Sequence, residues 1–188
     1  LHALHVHDGR RLLQFTAAGR IDSPPTLHGG LVLFGCADGR VYCLRASDGE
    51  LVWRFRAAPS GRRIIAFGQL ESPWRVHGSI LVKDGVAYGT AGRSSYLDGG
   101  IRVFGLDPGT GKVVCETRLD TWARTRKDAV GKPFIPAYHM EGTRSDVLVS
   151  QGDFIYLGQV KLDRKLARQD VPYVMPGPDD KSCVSFYY

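Results

Sequence analysis

The sequence predicts an all-β protein, a partial β-propeller of four-stranded antiparallel blades, and three observations carry that expectation. First, LHALHVHDGRRLL (1–13), VYCLRASDGELVW (41–53) and VFGLDPGTGKVVC (103–115) align without a gap, sharing Leu4, Leu44 and Leu106 and then Gly9, Gly49 and Gly111. Second, short apolar segments are punctuated by Gly-Gly, Asp-Gly and Ser-Asp-Gly, the pairs that supply positive φ in tight hairpins. Third, runs such as LVLF (31–34) are apolar at successive positions, so both faces of each sheet must be covered. A lone meander would leave one face wet. Copies of four strands that cover one another's faces are what a propeller stacks around its axis.

The elements follow in chain order. Residues 1–15 read as the last two strands of an incomplete blade, and 16–56 as a complete blade with strands around TLH, LVLFGCA, RVYCLR and ELVWRFR. A long connection, 57–77, leads to a second complete blade over 78–119, whose 92–100 loop is extended. A second long connection, 120–145, precedes a further blade that starts at DVLVSQGDFIYLG; 146–188 is expected to hold that start and an irregular tail. Within the tail, KLDRKLARQ reads as a short basic helix or a loop insertion. The total is about two and a half to three blades, fewer than the roughly four to eight of a closed propeller. The chain is therefore expected to be a piece of a longer propeller, or to close by association with other chains.

Composition sets the outer limits. The 188 residues are 43% hydrophobic and 23% charged, ordinary for a globular protein. No apolar run is long enough to form a transmembrane segment. The net charge of +6 is spread thinly, the densest knot being ARTRK (123–127), which reads as a solvated loop; no nucleic-acid partner is expected. The four cysteines show no C-x-x-C spacing, which argues against zinc or dithiol chemistry. Pairing across a two-residue Asp38-Gly39 turn would set Cys36 opposite Val41 and Cys43 opposite Phe34. The thiols would then be diagonal neighbours on one face, about 7–8 Å apart at Cα and too far for a ready disulfide. Reduced, packed thiols are the expectation.

The signature seen as LRASDGELVW, and in looser form as LHVHDGRRLL and GLDPGTGKVV, together with SPPT and LVLFGCADGRVYCL, resembles the PQQ-binding-like (pyrroloquinoline-quinone-like) β-propeller repeat over residues 1 to about 160. That family contains quinone-dependent alcohol dehydrogenases, an outer-membrane assembly lipoprotein and many bacterial repeat proteins without assigned activity; this chain is most similar to the last group. The resemblance implies a periplasmic or otherwise extracytoplasmic location. It also offers PQQ with calcium as the alternative cofactor set, although the paired adjacent cysteines of the dehydrogenases have no counterpart and the chain contains no asparagine. Fold alone does not choose a function.

Strand direction alternates within a blade, so the loop between the second and third strands and the connection to the next blade leave on one face. All the long loops fall there, and long loops on a rigid scaffold are where binding residues collect. The candidates are Trp74, Arg75 and His77 on the first connection, with Glu71 beside them; Arg93, Ser94, Tyr96 and Asp98 on the extended loop; and Trp122, Arg124 and His139 on the second connection. They are expected to converge at the mouth of the central channel as a polar, aromatic and cationic pocket for a small-molecule or protein ligand. Each has a structural alternative. Trp74 can cap an inner strand instead of stacking a ligand, Arg93 and Asp98 can pair to hold their loop, and His77 and His139 can be ordinary loop histidines. Trp53, at the repeat position shared with Leu13 and Cys115, is expected to pack blade on blade.

Neither a G-x-S-x-G elbow nor a phosphate loop is present. The expected function is therefore a non-catalytic scaffold or binding module with no cofactor. Its expected partners are the remaining blades of the propeller, or other chains completing it. Part of a quinone-dependent dehydrogenase is the alternative.

Overall fold

The structure is a computed structural model that describes residues 1–66, 68–121, 126–127, 133–134 and 143–169. Strands β1 (His2–Leu4) and β2 (Arg11–Gln14) form an antiparallel pair. Blade one follows as β3 (Thr26–His28), β4 (Leu31–Cys36), β5 (Arg40–Arg45) and β6 (Leu51–Arg56), a four-stranded antiparallel meander. A small hairpin, β7 (Ile64–Ala66) and β8 (Gln69–Glu71), interrupts the first long connection, which the sequence reading leaves as loop. Blade two is β9 (Leu81–Lys83), β10 (Val86–Ala91), β11 (Ile101–Leu106) and β12 (Val113–Leu119). After the short pair β13 (Arg126–Lys127) and β14 (Pro133–Phe134), blade three is complete in four strands: β15 (Val149–Gln151), β16 (Phe154–Leu157), β17 (Val160–Leu162) and β18 (Arg168–Gln169). The described residues thus hold three four-stranded sheets and three strand pairs, the sheets being blades of a partial β-propeller.

The repeat's turn is built the same way three times. His5, Arg45 and Asp107 N–H donate to the carbonyls of Arg10, Glu50 and Lys112, while Gly9, Gly49 and Gly111 N–H donate back to the carbonyls of His5, Arg45 and Asp107. Gly111 sits at φ 70°, and a Cβ there would lie 2.6 Å from the Trp53 ring of the preceding blade, so two independent constraints demand glycine. The second constraint comes from blade packing: Trp53 Nε1 donates to Pro108 O at 2.8 Å, and Cys115 one blade later faces Arg164 O at 3.7 Å. Leu13 lies against Gly49 in the same way. Trp53 is a blade-packing residue, as its repeat position implies.

Two further sequence expectations change. In blade one the β4–β5 register pairs Cys36 with Arg40 and Leu33 with Cys43, so Ala37, Asp38 and Gly39 form a three-residue link instead of a two-residue turn. A one-residue slip moves every side chain of a strand to the other face. Cys36 accordingly packs with Phe34 and Tyr42 toward β2, and Cys43 packs with Leu33 and Val41 toward blade two. Both are free thiols on opposite faces, which excludes a bridge more firmly than distance would. Burial pushes the thiols up, Cys36 to about 12 and Cys43 to about 11.

KLDRKLARQ is the second change: it forms β17, a tight turn and β18, not a helix. Asp163 Oδ1 accepts from the N–H groups of Lys165 and Ala167, and Leu166 takes the left-handed position at φ 63° that glycine holds in the other copies. Left-handed backbone costs a non-glycine residue about 1–2 kcal/mol, while full burial of a leucine returns about 1.5–3 kcal/mol. Leu166 is fully buried among Ile155, Leu157 and Leu162, so packing wins.

The cores lie between blades. Phe55 of blade one meets Phe104 of blade two at 5.3 Å, and Phe15 meets Tyr42 at 5.7 Å in the equivalent place one blade earlier. The inner edges adjoin, Thr26 Oγ1 donating to Ile80 O at 2.5 Å and Ser79 Oγ to Pro24 O at 3.0 Å.

Candidate functional site

Three loops are tied together on the long-loop face. After the β7–β8 hairpin the chain runs beside the end of β4, Ser72 N–H donating to Ala37 O and Val76 N–H to Cys36 O. The 92–100 loop is anchored by buried Ser95. Its Oγ accepts from Thr143 N–H at 2.9 Å and from Thr121 Oγ1 at 2.7 Å, and its backbone pairs with the same two residues. Ser94 bridges to Arg144, and its Oγ caps Tyr96 N–H at 3.2 Å. These serines are structural ties.

On this frame Trp74, Arg93 and Asp98 come together. Asp98 has φ 54°, a turn conformation that its short polar side chain tolerates. Its carboxylate accepts from Arg93 Nη2 at 2.5 Å and from Arg62 Nη1 at 3.2 Å, while its carbonyl accepts from Trp74 Nε1 at 3.0 Å. Arg62 is a member of the cluster that the sequence reading does not single out. A recess of about 500 Å³ opens beside it between blades one and two, walled by Pro59, Trp74, Gly100, Arg102 and Arg118. Arg102 pairs with Glu116, and Arg118 with Asp120 and the Gly99 carbonyl.

Arg75 and His77 belong to a different cluster, at the inner edge. Glu71 is only 2% exposed and faces Arg20 at 3.3 Å and Arg75 at 3.6 Å. Asp22 pairs with Arg20 and lies 3.7 Å from His77 Nδ1. Burial pushes the Asp22 carboxyl up, but the hydrogen bond and charge of Arg20, with His77 and Arg75 behind it, outweigh burial and leave it below the usual carboxylate value. Arg20 and Asp22 stand just before the inner strand of blade one, a place that a search of the long loops overlooks.

Among the described residues the candidates fall in two clusters, Trp74, Arg93 and Asp98 in one and Arg75 and His77 in the other. Trp122, Arg124 and His139 lie outside the described residues. The Arg93–Asp98 pair holds its loop, which is the structural alternative its spacing allowed.

The carboxylates of both clusters are committed to arginines, which bears on a calcium–quinone site. Such a site needs uncommitted carboxylate or amide oxygens for the ion and a carboxylate base. Glu71 and Asp98 each face two guanidinium groups, and the Trp74 indole is fixed to the Asp98 carbonyl. Among the described residues no group of three His, Cys, Asp or Glu side chains is placed to hold a metal. The donors among the described residues do not fit the group.

Residues 1–162 match the family described as outer membrane protein assembly factor BamB. The chain belongs to that family. Among curated proteins it is 39% identical over 61 residues to BamB of Burkholderia pseudomallei (strain K96243), covering 31% of this chain and 16% of that protein. It is also 35% identical over 83 residues to the β-alanine-activating enzyme of Drosophila melanogaster, covering 40% of this chain and 7% of that one. Solved structures that share the fold include BamB from Moraxella catarrhalis, with TM-score 0.52 and 19% identity over 87% of this chain and 39% of that one. A quinohemoprotein alcohol dehydrogenase from Pseudomonas putida HK5 also shares it, with TM-score 0.61 and 16% identity over 82% of this chain and 24% of that one. This chain thus spans well under half the length of each of these proteins. BamB-family membership establishes the PQQ-like repeat; the enzyme and the assembly factor share its fold.

Proposed function

We propose that this chain is a non-catalytic section of a β-propeller scaffold that docks a polypeptide partner on its long-loop face, in an extracytoplasmic compartment. The observation that carries the reading is the commitment of the candidate carboxylates to arginines: Asp98 is held between Arg62 and Arg93, and Glu71 between Arg20 and Arg75. Carboxylates held in this way position loops. BamB-family membership supports the compartment and the class of partner, since the family is described by outer membrane protein assembly.

Further blades, of the same protein or of other chains, are the second part of the proposal. Leu27 is 73% exposed on β3 and Val149 60% exposed on β15, which leaves apolar side chains of two first strands in water. The test is direct. The protein is mixed with pyrroloquinoline quinone and calcium and passed over a gel-filtration column; the expected result is that no quinone absorbance travels with it. Stoichiometric retention overturns the scaffold reading in favour of a quinone-dependent dehydrogenase.

A further inference from the structure

Blades one and two share their register strand for strand, so any position in one can be compared with its counterpart in the other. Arg40 pairs across the sheet with Arg56, and Tyr42 with Arg54; in blade two the counterparts are Arg102 with Arg118, and Phe104 with Glu116. All of these side chains point to the face turned toward the preceding strands. In blade two the two arginines are satisfied within the protein, Arg102 by Glu116 and Arg118 by Asp120. In blade one the position of Glu116 is taken by Arg54 and that of Asp120 by Ala58.

Three guanidinium groups consequently crowd the outer part of that face. Directly opposed side chains on adjacent strands lie about 4.5–5.5 Å apart at Cβ, and like charges there are destabilising. Arg54 and Arg56 are exposed and have no ion pair or hydrogen bond among the described residues. Among the described residues the carboxylate paired with this cluster is Asp38, 4.0 Å from Arg40, but it is buried and already accepts from Tyr42 Oη at 2.7 Å and from Arg40 N–H at 3.1 Å. It leaves the cluster strongly positive.

We propose that Arg40, Arg54 and Arg56 form a docking site for an acidic polypeptide segment, whose carboxylates take the places that Glu116 and Asp120 occupy in blade two. The internal counterpart is the argument for carboxylate over other anions: the same arginine pair, on the same strands, is already occupied by carboxylates one blade away. Guanidinium and carboxylate are matched in shape as well as charge. This deepens the partner-docking reading above and rests on it.

The experiment is fluorescence anisotropy of a labelled oligoglutamate peptide with the full chain, at low and at physiological salt. Binding is expected, weakening as salt is added. Arg54→Glu installs the carboxylate of blade two and is expected to weaken binding about tenfold or more, with a thermal midpoint equal to or above that of the parent. Arg56→Gln, a milder change, serves as a second variant and is expected to weaken it as well. Unchanged peptide binding in both folded variants overturns the site. So does stronger competition by short single-stranded RNA or by phosphatidylglycerol vesicles than by unlabelled peptide. Either result leaves the non-catalytic scaffold reading standing, because the quinone experiment tests that separately.

Discussion

Blades one and two have the same four strands, the same register and the same bulge between the third and fourth strands, yet they fill their interblade faces differently. Blade one stacks Phe34 on Tyr42 at 5.5 Å with nearly parallel rings; blade two places Gly89 opposite Phe104. Blade one sends Trp53 onto the turn of its successor, and blade two sends Cys115. Blade one leaves arginines open where blade two pairs them. The lesson is that the repeat fixes backbone and turn chemistry, while each interface is solved separately by the residues that happen to meet across it.

The blade-packing position of Trp53 and Cys115 should show the largest difference. Trp53→Ala removes a half-buried indole and its hydrogen bond to Pro108, and should cost about 2–4 kcal/mol by denaturant unfolding. Cys115→Ala, at the same repeat position, removes one sulfur and should cost less than about 1.5 kcal/mol. Equal losses would mean that the two interfaces are not built as differently as their contacts indicate. Next comes Gly89→Ala. A Cβ there would stand 2.7 Å from the Phe104 ring and 3.0 Å from Ile80, so overpacking should cost about 1–3 kcal/mol.

Much of this was legible in the sequence, and the reason is local. Gly9, Gly49 and Gly111, with their fixed offset from Leu4, Leu44 and Leu106, report a turn whose hydrogen bonds recur three times. The apolar run at 31–34 reports two covered faces, which Leu33 and Phe34 occupy in separate cores. Blade three was harder because its turn carries Leu166 where glycine is expected; tertiary burial overrides the local preference. The cysteine faces failed on one residue of link length between Cys36 and Arg40. The site was legible as a face and as the Arg93–Asp98 pair. Its division into two clusters was not, because Arg62, Arg20 and Asp22 meet their partners only through folding.

Alkaline stability probes the blade-one cores. Burial raises the Cys36 thiol from 9.0 to about 12 and the Cys43 thiol from 9.0 to about 11. Between the unfolded and folded values the native state holds a proton that the unfolded chain releases. The contribution is therefore intact below about pH 9 and is lost as pH rises toward the folded values, about 1 kcal/mol per thiol at pH 10. The unfolding midpoint should drop from pH 9 to pH 10, and the drop should be smaller in Cys36→Ala. A pH-independent midpoint over that interval would place these thiols in water.

The smallest effect should come from the charged rim, where blade two can be converted to the pattern of blade one. Glu116 is half exposed and pairs with Arg102, so Glu116→Arg removes one ion pair and adds a third guanidinium group to the face. Exposed pairs are worth about 0.2–1 kcal/mol, and the loss should stay within about 1 kcal/mol and shrink as salt screens the new repulsion. Measured beside Arg54→Glu in blade one, the two substitutions should shift stability in opposite directions by similar amounts. The two faces share one backbone, and the paired substitutions exchange the side chain at one equivalent position. Shifts of the same sign would show that the surroundings of the two rims, and not the exchanged charge, set the energy.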